Sequence, residues 1–301
     1  MSLTSAMLTG ASGLTTYSNA INVIGNNIAN VNTVGFKDAR TNFSDLLSQS
    51  IGNNSQVGAG VQVQSVQNLF TQGTTQSSEN VTDLAIQGNS FFALAAPNAT
   101  AAPATQDLAY LTRAGSFRVN SAFNLVNPDG YEALQSVDGK PILFQHTASG
   151  GTPAAGDFAK ITAVDSQGVI TYSDYAGNTY YYAGNGNPGV AATTANYSTV
   201  KSGGFTVAVI NPSNPLGLNK VGGTLFTSTA DTGIPTTAFN TTANQVNGTS
   251  EKLYSNSLEL SNVDMAAQFV QMILTQRAYS ANSKTITTAD QMTQEVLNLK
   301  Q

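Results

Sequence analysis

The stretch LTSAMLTGASGLTTYSNAINVIGNNIANV, residues 3–31, decides how the ends of this chain fold. Its apolar residues recur at alternating spacings of four and three, a repeat of about 3.5 residues that is typical of a coiled-coil seam. The stations of this N-terminal seam, all apolar except Gly10, are Leu3, Met7, Gly10, Leu14, Tyr17, Ile21, Ile24, Ile28 and Val31. Because the repeat lasts about four heptads, it predicts a long helix.

The other faces of this helix carry no charge. Residues 1–36 contain no Asp, Glu, Lys or Arg, whereas the flanking positions of a solvated coiled coil normally do. Gly10, Gly13 and Gly25 also lower the helix propensity. We therefore expect a helix that forms only when packed and whose outer faces contact protein.

A matching helix is predicted at the other end of the chain. The stations of this C-terminal seam are Met265, Phe269, Met272, Tyr279, Ile286, Val296 and Leu299, and Val263, Ala266, Val270 and Ile273 widen the apolar stripe at its start. Residues 266–276 again contain no charge. Asn262 or Ser261 can cap this helix, with Asp264 near the positive end of its dipole. Either seam alone could belong to an ordinary core helix, but two such helices at opposite ends favour pairing.

Between the helices the hydrophobic period changes to two, and turn dipeptides such as Asp129-Gly130 become frequent. Predicted strands are residues 60–66, 84–94, 110–119, 160–163, 169–172, 179–183 and 204–210. Low-complexity stretches at 95–106, 148–156 and 184–199 predict surface loops or insertions.

These patterns predict an α+β fold, in which long N- and C-terminal helices pair as a coiled-coil-like core and an antiparallel all-β outer domain is inserted between them. We expect residues 1–35 and 258–301 to form the discontinuous helical core. Residues 36–75 are expected to be a linker, and residues 76–257 the outer β domain, with a variable insertion near 148–200.

Composition argues against several classes of function. Only 10% of residues are charged, the formal net charge is -5, and the 12 Lys and Arg residues are scattered, which argues against nucleic-acid binding. The chain contains no cysteine, so thiol catalysis and thiolate metal sites are excluded. The first residues lack the pattern of a signal peptide, and no apolar stretch is long enough for a membrane span. On these features alone, a cytosolic location is the default.

The sequence contains no strong candidate for a catalytic, phosphate-binding or metal-binding site. The single histidine, His146, has no cysteine or second histidine to work with. Residues 184–189 match G-x-G-x-x-G in letters, but Pro188 and a Thr/Ala/Asn run follow where a phosphate-binding helix should begin. Asp157, Asp165 and Asp174 do not have the spacing of a calcium loop. We expect no enzyme activity, no catalytic residue, no cofactor and no metal ion.

The segment VIGNNIANVNTVGFK, residues 23–37, closely resembles the signature of bacterial flagellar rod and hook proteins. Its motif residues are Asn26, Asn27, Asn30, Gly35, Phe36 and Lys37. Physically this string suits a helix exit, since Asn and Gly tolerate turn conformations and Phe36 can anchor the chain. Further similar segments are residues 70–76, 82–88, 91–92, 113–117, 261–266 and 276–284.

This resemblance implies a structural subunit that leaves the cell through the flagellar export apparatus without a cleaved signal peptide. Subunits of this kind form a helical homopolymer whose inner tube is lined by the terminal helices, so the two seams become polymerisation seams. Their implied partners are the chain itself, rod proteins and hook–filament junction or cap proteins, with no nucleic acid and no membrane insertion. The implied location is the extracellular hook or the basal-body rod that spans the periplasm.

Within the family, residues 70–75 and 286–300 look more like the hook protein, a tubular universal joint that transmits torque from motor to filament. The chain is short for a hook protein, so a distal rod protein of the basal body is the alternative. A secreted β-rich adhesin or binding module, with helices paired only within one molecule, is a third possibility.

Overall fold

A computed structural model describes residues 3–47, 49–52, 55–97, 103, 105–146, 155–184, 187, 189–249 and 251–299 of the chain. The chain divides into two compact units. The helical unit comprises residues 1–32, 37–69 and 263–301, and the β unit comprises residues 33–36 and 70–262. Part of the predicted insertion, residues 147–154, lies outside the described residues.

Long helices occupy both ends of the chain, as predicted. The helices are α1 (Leu3–Ala29), α2 (Thr194–Ser202), α3 (Thr241–Asn244) and α4 (Met265–Asn298). The strands are β1 (Ala39–Asp45), β2 (Gln49–Gly52), β3 (Ser55–Val57), β4 (Val61–Asn68), β5 (Thr75–Ser77), β6 (Leu84–Gln87), β7 (Phe91–Ala95), β8 (Tyr110–Thr112), β9 (Arg118–Val119), β10 (Leu125–Val126), β11 (Glu132–Ala133), β12 (Lys160–Val164), β13 (Ile170–Ser173), β14 (Thr179–Tyr181), β15 (Val190–Ala191), β16 (Val209–Ile210), β17 (Asn219–Gly222), β18 (Leu225–Thr227), β19 (Lys252–Ser255) and β20 (Ser257–Glu259). The α+β fold with paired terminal helices is therefore confirmed.

In the helical unit, α1 packs on α4 and on an antiparallel hairpin. This hairpin pairs β1 with β4 from Ala39↔Asn68 to Asp45↔Val61, with a bulge at Asn42/Phe43. Most of the segment 36–75, predicted as a linker, is therefore regular structure that belongs to the helical unit.

The start of α4 differs from the expectation. Asp264, rather than Asn262 or Ser261, is the N-cap residue, because its Oδ1 accepts from the backbone N–H of Ala266 (2.9 Å) and Ala267 (3.2 Å). A carboxylate there satisfies two otherwise unpaired donors and also interacts favourably with the helix dipole.

The β unit is built around an eight-stranded antiparallel sheet in the order β17-β18-β8-β7-β11-β10-β9, with β16 also paired to β7. The sequence of β7, FFALA, is apolar at every position because both faces of the sheet are buried. Phe92 and Leu94 pack into the larger apolar cluster, whereas Phe91 and Ala93 pack into the smaller one. A four-stranded sheet, β12-β13-β14-β15, and smaller pairs complete the unit.

Two local expectations in this unit are wrong. Residues 204–210 form a strand only at β16, although Thr206 and Val207 make isolated bridges. Residues 184–199, expected to be a surface loop or an insertion without regular structure, contain β15 and the start of α2. Thr193 caps α2 by accepting from Asn196 N–H, and Val200 is buried, so capping and one apolar anchor stabilise a helix that composition did not suggest.

Candidate assembly interface

Glycines allow α1 and α4 to approach closely. A Cβ atom at Gly10 would lie 2.8 Å from Cγ1 of Ile286, and one at Gly13 would lie 2.7 Å from Oδ1 of Asn282. Gly10 faces Ile286, whereas Gly13, later in α1, faces Asn282, which is earlier in α4, so the two helices run antiparallel. The buried residues of α1 accordingly include the small residues Gly10, Gly13 and Ala20, and Ala289 is buried on α4.

The β1–β4 hairpin joins the same helix through polar contacts. Thr16 Oγ1 donates to the carbonyl of Val61 (3.1 Å), and Val61 N–H donates to Oγ of Ser12 (3.3 Å). The ring of Phe43 packs on that of Tyr17, with their centroids 5.8 Å apart. This arrangement covers a second face of α1.

Asn27, one of the motif residues, links three segments of the helical unit. Its Nδ2 donates to the carbonyl of Ala39 (2.7 Å) and its Oδ1 accepts from Ala39 N–H (3.1 Å), which fixes the start of β1. The same Nδ2 lies 3.3 Å from Oε1 of Gln268 on α4. Nε2 of Gln268 in turn donates to both carboxylate oxygens of Asp38, at 3.2 and 3.3 Å. Burial raises the pKa of Asp38.

The outer face of α4 is apolar and exposed. The exposed large apolar side chains of this helix and its C-cap are Met265, Phe269, Val270, Ile273, Leu274, Tyr279, Met292, Val296, Leu297 and Leu299. Five of these side chains lie within residues 265–274, and the surrounding residues 266–276 carry no charge. We call the side of α4 that carries Phe269 (46% exposed) and Ile273 (51% exposed) its outer face. Exposed, uncharged apolar clusters are typical of surfaces that contact another molecule.

A cleft of about 330 Å³ opens between α1, β1 and α4, lined among others by Ile24, Phe43 and Leu274. Gln271 and Thr275 face this cleft from α4. At about 100° per residue, Phe269 and Ile273 project from the opposite side of the helix. The helical unit therefore presents two different apolar surfaces.

The predicted seams are only partly the faces that pair within the chain. On α1 the buried residues are Gly10, Gly13, Thr16, Ala20, Ile24 and Asn27, which share only Gly10 and Ile24 with the predicted seam. Met7, Leu14, Tyr17, Ile21, Ile28 and Val31 are half-buried, and the side chain of Leu3 lies outside the described part. In the C-terminal seam Met272 and Ile286 are half-buried, whereas Met265, Phe269, Tyr279, Val296 and Leu299 are exposed. Their role in polymerisation stays a prediction.

The remaining motif residues lie at or just beyond the end of α1. Asn30 Nδ2 donates to the carbonyl (2.8 Å) and to Oδ1 (3.1 Å) of Asn26, which closes the last turn. Lys37 is buried. Phe36 is buried as well, in the β unit, with Nζ of Lys220 4.2 Å from its ring centroid. Burial lowers the pKa of Lys220.

Gly35 is required by its surroundings in the β unit. Its φ is +69°, and a Cβ atom there would lie 2.4 Å from the backbone nitrogen of Ala114. Its N–H donates to the carbonyl of Glu259 (2.8 Å). Only glycine combines this backbone angle with such a close approach.

The side chain of Glu259 forms a buried ion pair that the sequence analysis missed. Nη1 of Arg113 lies 3.2 Å from its Oε2, and the two side chains are 1% and 0% exposed. Arg113 also donates to the carbonyl of Gly88 (2.6 Å), while Glu259 accepts from Gly73 N–H (2.9 Å). Burial lowers the pKa of Arg113, and the charge of Glu259 opposes that shift. Arg113 belongs to a segment similar to the family, which was the available signal.

The residues considered for chemistry do not converge. His146 stacks on Phe123 with the ring centroids 4.3 Å apart. Within the described ranges, no group of three or more His, Asp or Glu side chains could hold a metal ion, so Asp157, Asp165 and Asp174 form no such site. Residues 185, 186 and 188 of the glycine-rich loop lie outside the described part. Of the described helices, none has the length and hydrophobicity to cross a membrane.

Three family models match the chain. Residues 7–37 match "Flagella basal body rod protein", residues 85–172 match "Flagellar hook protein FlgE/F/G D1 domain", and residues 254–299 match "Flagellar basal body rod FlgEFG protein C-terminal". The chain is also 31% identical to the flagellar basal-body rod protein FlgG of Bacillus subtilis over 308 residues, covering 98% of each chain. The chain belongs to the flagellar rod and hook protein family. The predicted family is confirmed, and the protein is structural rather than an enzyme.

Further relatives separate the two branches of this flagellar family. The FlgG rod protein of Caulobacter vibrioides is 33% identical over 309 residues, covering 98% of this chain and 99% of its own. The hook protein FlgE of Borreliella burgdorferi is 42% identical over 135 residues, covering 41% of this chain and 28% of its own. The whole-length matches therefore favour the rod alternative over the hook, which the sequence analysis had placed first.

Proposed function

We propose that this protein is a subunit of the distal rod of the flagellar basal body, and that it assembles into a tubular helical polymer through its terminal helices. The observation that carries the rod assignment is the alignment with FlgG rod proteins over 98% of both chains. The hook relative is matched over only 28% of its length, so it contains much that this chain lacks.

The surfaces of the helical unit support polymerisation. The exposed face with Phe269 and Ile273 and the cleft beside Ile24 lie on different sides of α4. A contact between two different surfaces is heterologous, and such contacts generate open helical assemblies when the rotation does not close. The half-buried and exposed stations of the seams are then covered by neighbouring subunits.

The hook protein is the second candidate, because the identity to the Borreliella burgdorferi hook protein reaches 42% where the two chains align. Under either candidate the subunit occupies the flagellum. We propose that its partners are copies of itself, neighbouring rod, junction or cap subunits and the flagellar export apparatus.

A charge on the outer face of α4 tests the polymer directly. We expect Phe269→Asp and Ile273→Asp to abolish polymers seen by electron microscopy of concentrated protein, because a buried carboxylate without a partner is strongly disfavoured. Val221→Asp is the matched control, since Val221 is a comparably exposed apolar residue in the β unit (53%). Normal polymers from both α4 variants would refute the assembly face.

Deletion of the gene separates rod from hook. Tomography of the mutant basal bodies should show a shortened rod if the protein is the distal rod subunit. A complete rod with nothing beyond it would instead support the hook. Intact hooks and normal swimming would contradict both and leave the adhesin interpretation.

A further inference from the structure

Three polar side chains meet inside the helical unit, where α4 passes the end of α1. Asn27 is 0% exposed and Gln268 is 5% exposed. Asn27 Nδ2 to Gln268 Oε1 is 3.3 Å, and Gln268 Nε2 lies 3.2 and 3.3 Å from the two oxygens of Asp38. We call Asn27, Asp38 and Gln268 the amide–carboxylate network.

Hydrogen bonds to both the oxygen and the NH₂ group fix the orientation of each amide in this network. Asn27 is held by the two backbone bonds to Ala39, so its Nδ2 can face Gln268 in one orientation only. Gln268 must then present its oxygen to Asn27 and its NH₂ group to Asp38. Such directional bonds are lost if α4 moves along α1, whereas apolar contacts would re-form at the next turn.

The rest of the α1–α4 contact specifies register weakly. Ile286 and Asn282 of α4 lie on Gly10 and Gly13, and these glycines, like Ala20 and Ala289, have little or no side chain to interlock with. A shift of α4 by one turn, about 5.4 Å, moves Ile286 from Gly10 towards Gly13, so that one glycine replaces another beneath it. A buried polar residue is an established means of specifying register in paired helices.

We propose that Gln268 is a positioning residue: through the amide–carboxylate network it sets the register of the antiparallel α1–α4 pair. The consequence for assembly, that register determines where the outer face of α4 meets a neighbour, rests on the proposed function. Register itself is measurable without it.

Cysteine pairs measure register in the full chain, which has no native cysteine. The pair Gly13→Cys/Asn282→Cys reports the observed register, because a Cβ atom at Gly13 contacts the Asn282 side chain. The pair Gly13→Cys/Ile286→Cys, made together with Asn282→Ala so that the Cβ added at Gly13 does not meet the Asn282 amide, reports a shift of about one turn. With Gln268 intact, the first pair should form disulfide about tenfold faster than the second. Gln268→Leu should bring the two rates close together.

A charge exchange provides the second test, in case Gln268→Leu does not fold. Gln268→Glu alone places a carboxylate against Asp38 and should remove the register preference. Adding Asp38→Asn restores a hydrogen bond between the two positions with its direction reversed, because the amide at position 38 can donate to the carboxylate at position 268. The double variant should therefore recover the preference. An effect caused only by loss of packing would not be rescued.

The outcomes are decisive in both directions. Equal rates for the two cysteine pairs with Gln268 intact, or an unchanged preference in Gln268→Leu and Gln268→Glu, would overturn the proposal. If register shifts in the variants but their polymers remain normal, the network fixes register and the proposed link to assembly fails. If wild type forms no polymer at all, only the proposed function fails.

Discussion

Replacing Arg113 by Met tests how strongly the β unit depends on its buried ion pair. The variant removes a guanidinium that contacts Glu259 and the Gly88 carbonyl and lies 4.9 Å from the ring centroid of Phe91. Glu259, 0% exposed, then keeps a negative charge with the N–H of Gly73 as a remaining donor. Breaking a buried pair in this way costs about 3–5 kcal/mol.

This cost should be visible as a shift in melting temperature. For a unit of this size, each kcal/mol corresponds to about 2–4 °C, so Arg113→Met should lower Tm by about 6–20 °C. Near-ultraviolet circular dichroism is the suitable assay, because the buried Tyr172 and Tyr182 both lie in the β unit.

A double variant separates the charge from the packing. Arg113→Met/Glu259→Leu removes both charges and should recover much of the loss, since apolar pairs often replace buried ion pairs at little cost. Lys140→Met is the control, because Lys140 is an exposed side chain in its 2.8 Å pair with Asp138, so its loss should not change Tm measurably. A loss below about 1 kcal/mol for Arg113→Met, or a loss in the double variant as large as that of Arg113→Met alone, would refute the reasoning.

Three further predictions concern backbone and seam positions. Gly35→Ala should lower Tm more than Gly177→Ala, because both have positive φ (+69° and +88°) but only Gly35 has atoms within 4 Å of the added Cβ; thermal unfolding compares them. Gly13→Ala should weaken the α1–α4 pair, because the added Cβ atom would lie 2.7 Å from Asn282. Gly25→Ala should instead stabilise α1 by about 0.5–1 kcal/mol, because no atom lies within 4 Å of its added Cβ. Far-ultraviolet circular dichroism measures the helicity of both variants, and equal effects would contradict the close approach at Gly13. Ile24→Asp should prevent polymerisation and expose the terminal helices to protease while the tyrosine signal of the β unit persists, because Ile24 is only 7% exposed; protease-resistant ends would count against it.

The existence of both terminal helices could be predicted because their apolar repeats are long and free of strand-like alternation. Several strands were equally predictable, among them β4 and β12, where alternation or an apolar run is bounded by turn residues. The ends of strands could be predicted less well. Residues 204–210, for example, were predicted as one strand but form isolated bridges at Thr206 and Val207 and a regular strand only at the end. Where a strand ends depends on which other strand it pairs with, and the alternation of apolar and polar residues carries no information about that partner.

The inner faces of the helices could not be predicted from hydrophobicity. The repeat in α4 also runs through Gln268, Thr275, Asn282 and Ala289, which are polar or small and so escape a search for apolar stations. The buried residues of α1 include Gly13, Thr16 and Asn27 for the same reason. Close helix approach selects residues for small size and for hydrogen bonding, and neither property raises hydrophobicity.

Large apolar and small or polar side chains are arranged in this helix pair in the reverse of the way found in an ordinary soluble helix pair. In a self-contained pair, large apolar residues face the partner helix and polar ones face solvent. Here Gly10, Gly13 and Asn282 meet inside, while Phe269 and Ile273 face outward. Since burying a large side chain contributes about 1.5–3 kcal/mol, most of the apolar burial available to α4 is not realised within one chain. We therefore expect the helix pair to gain its main stabilisation when another molecule covers the outer face of α4, which under the proposed function would couple the ordering of the chain ends to assembly.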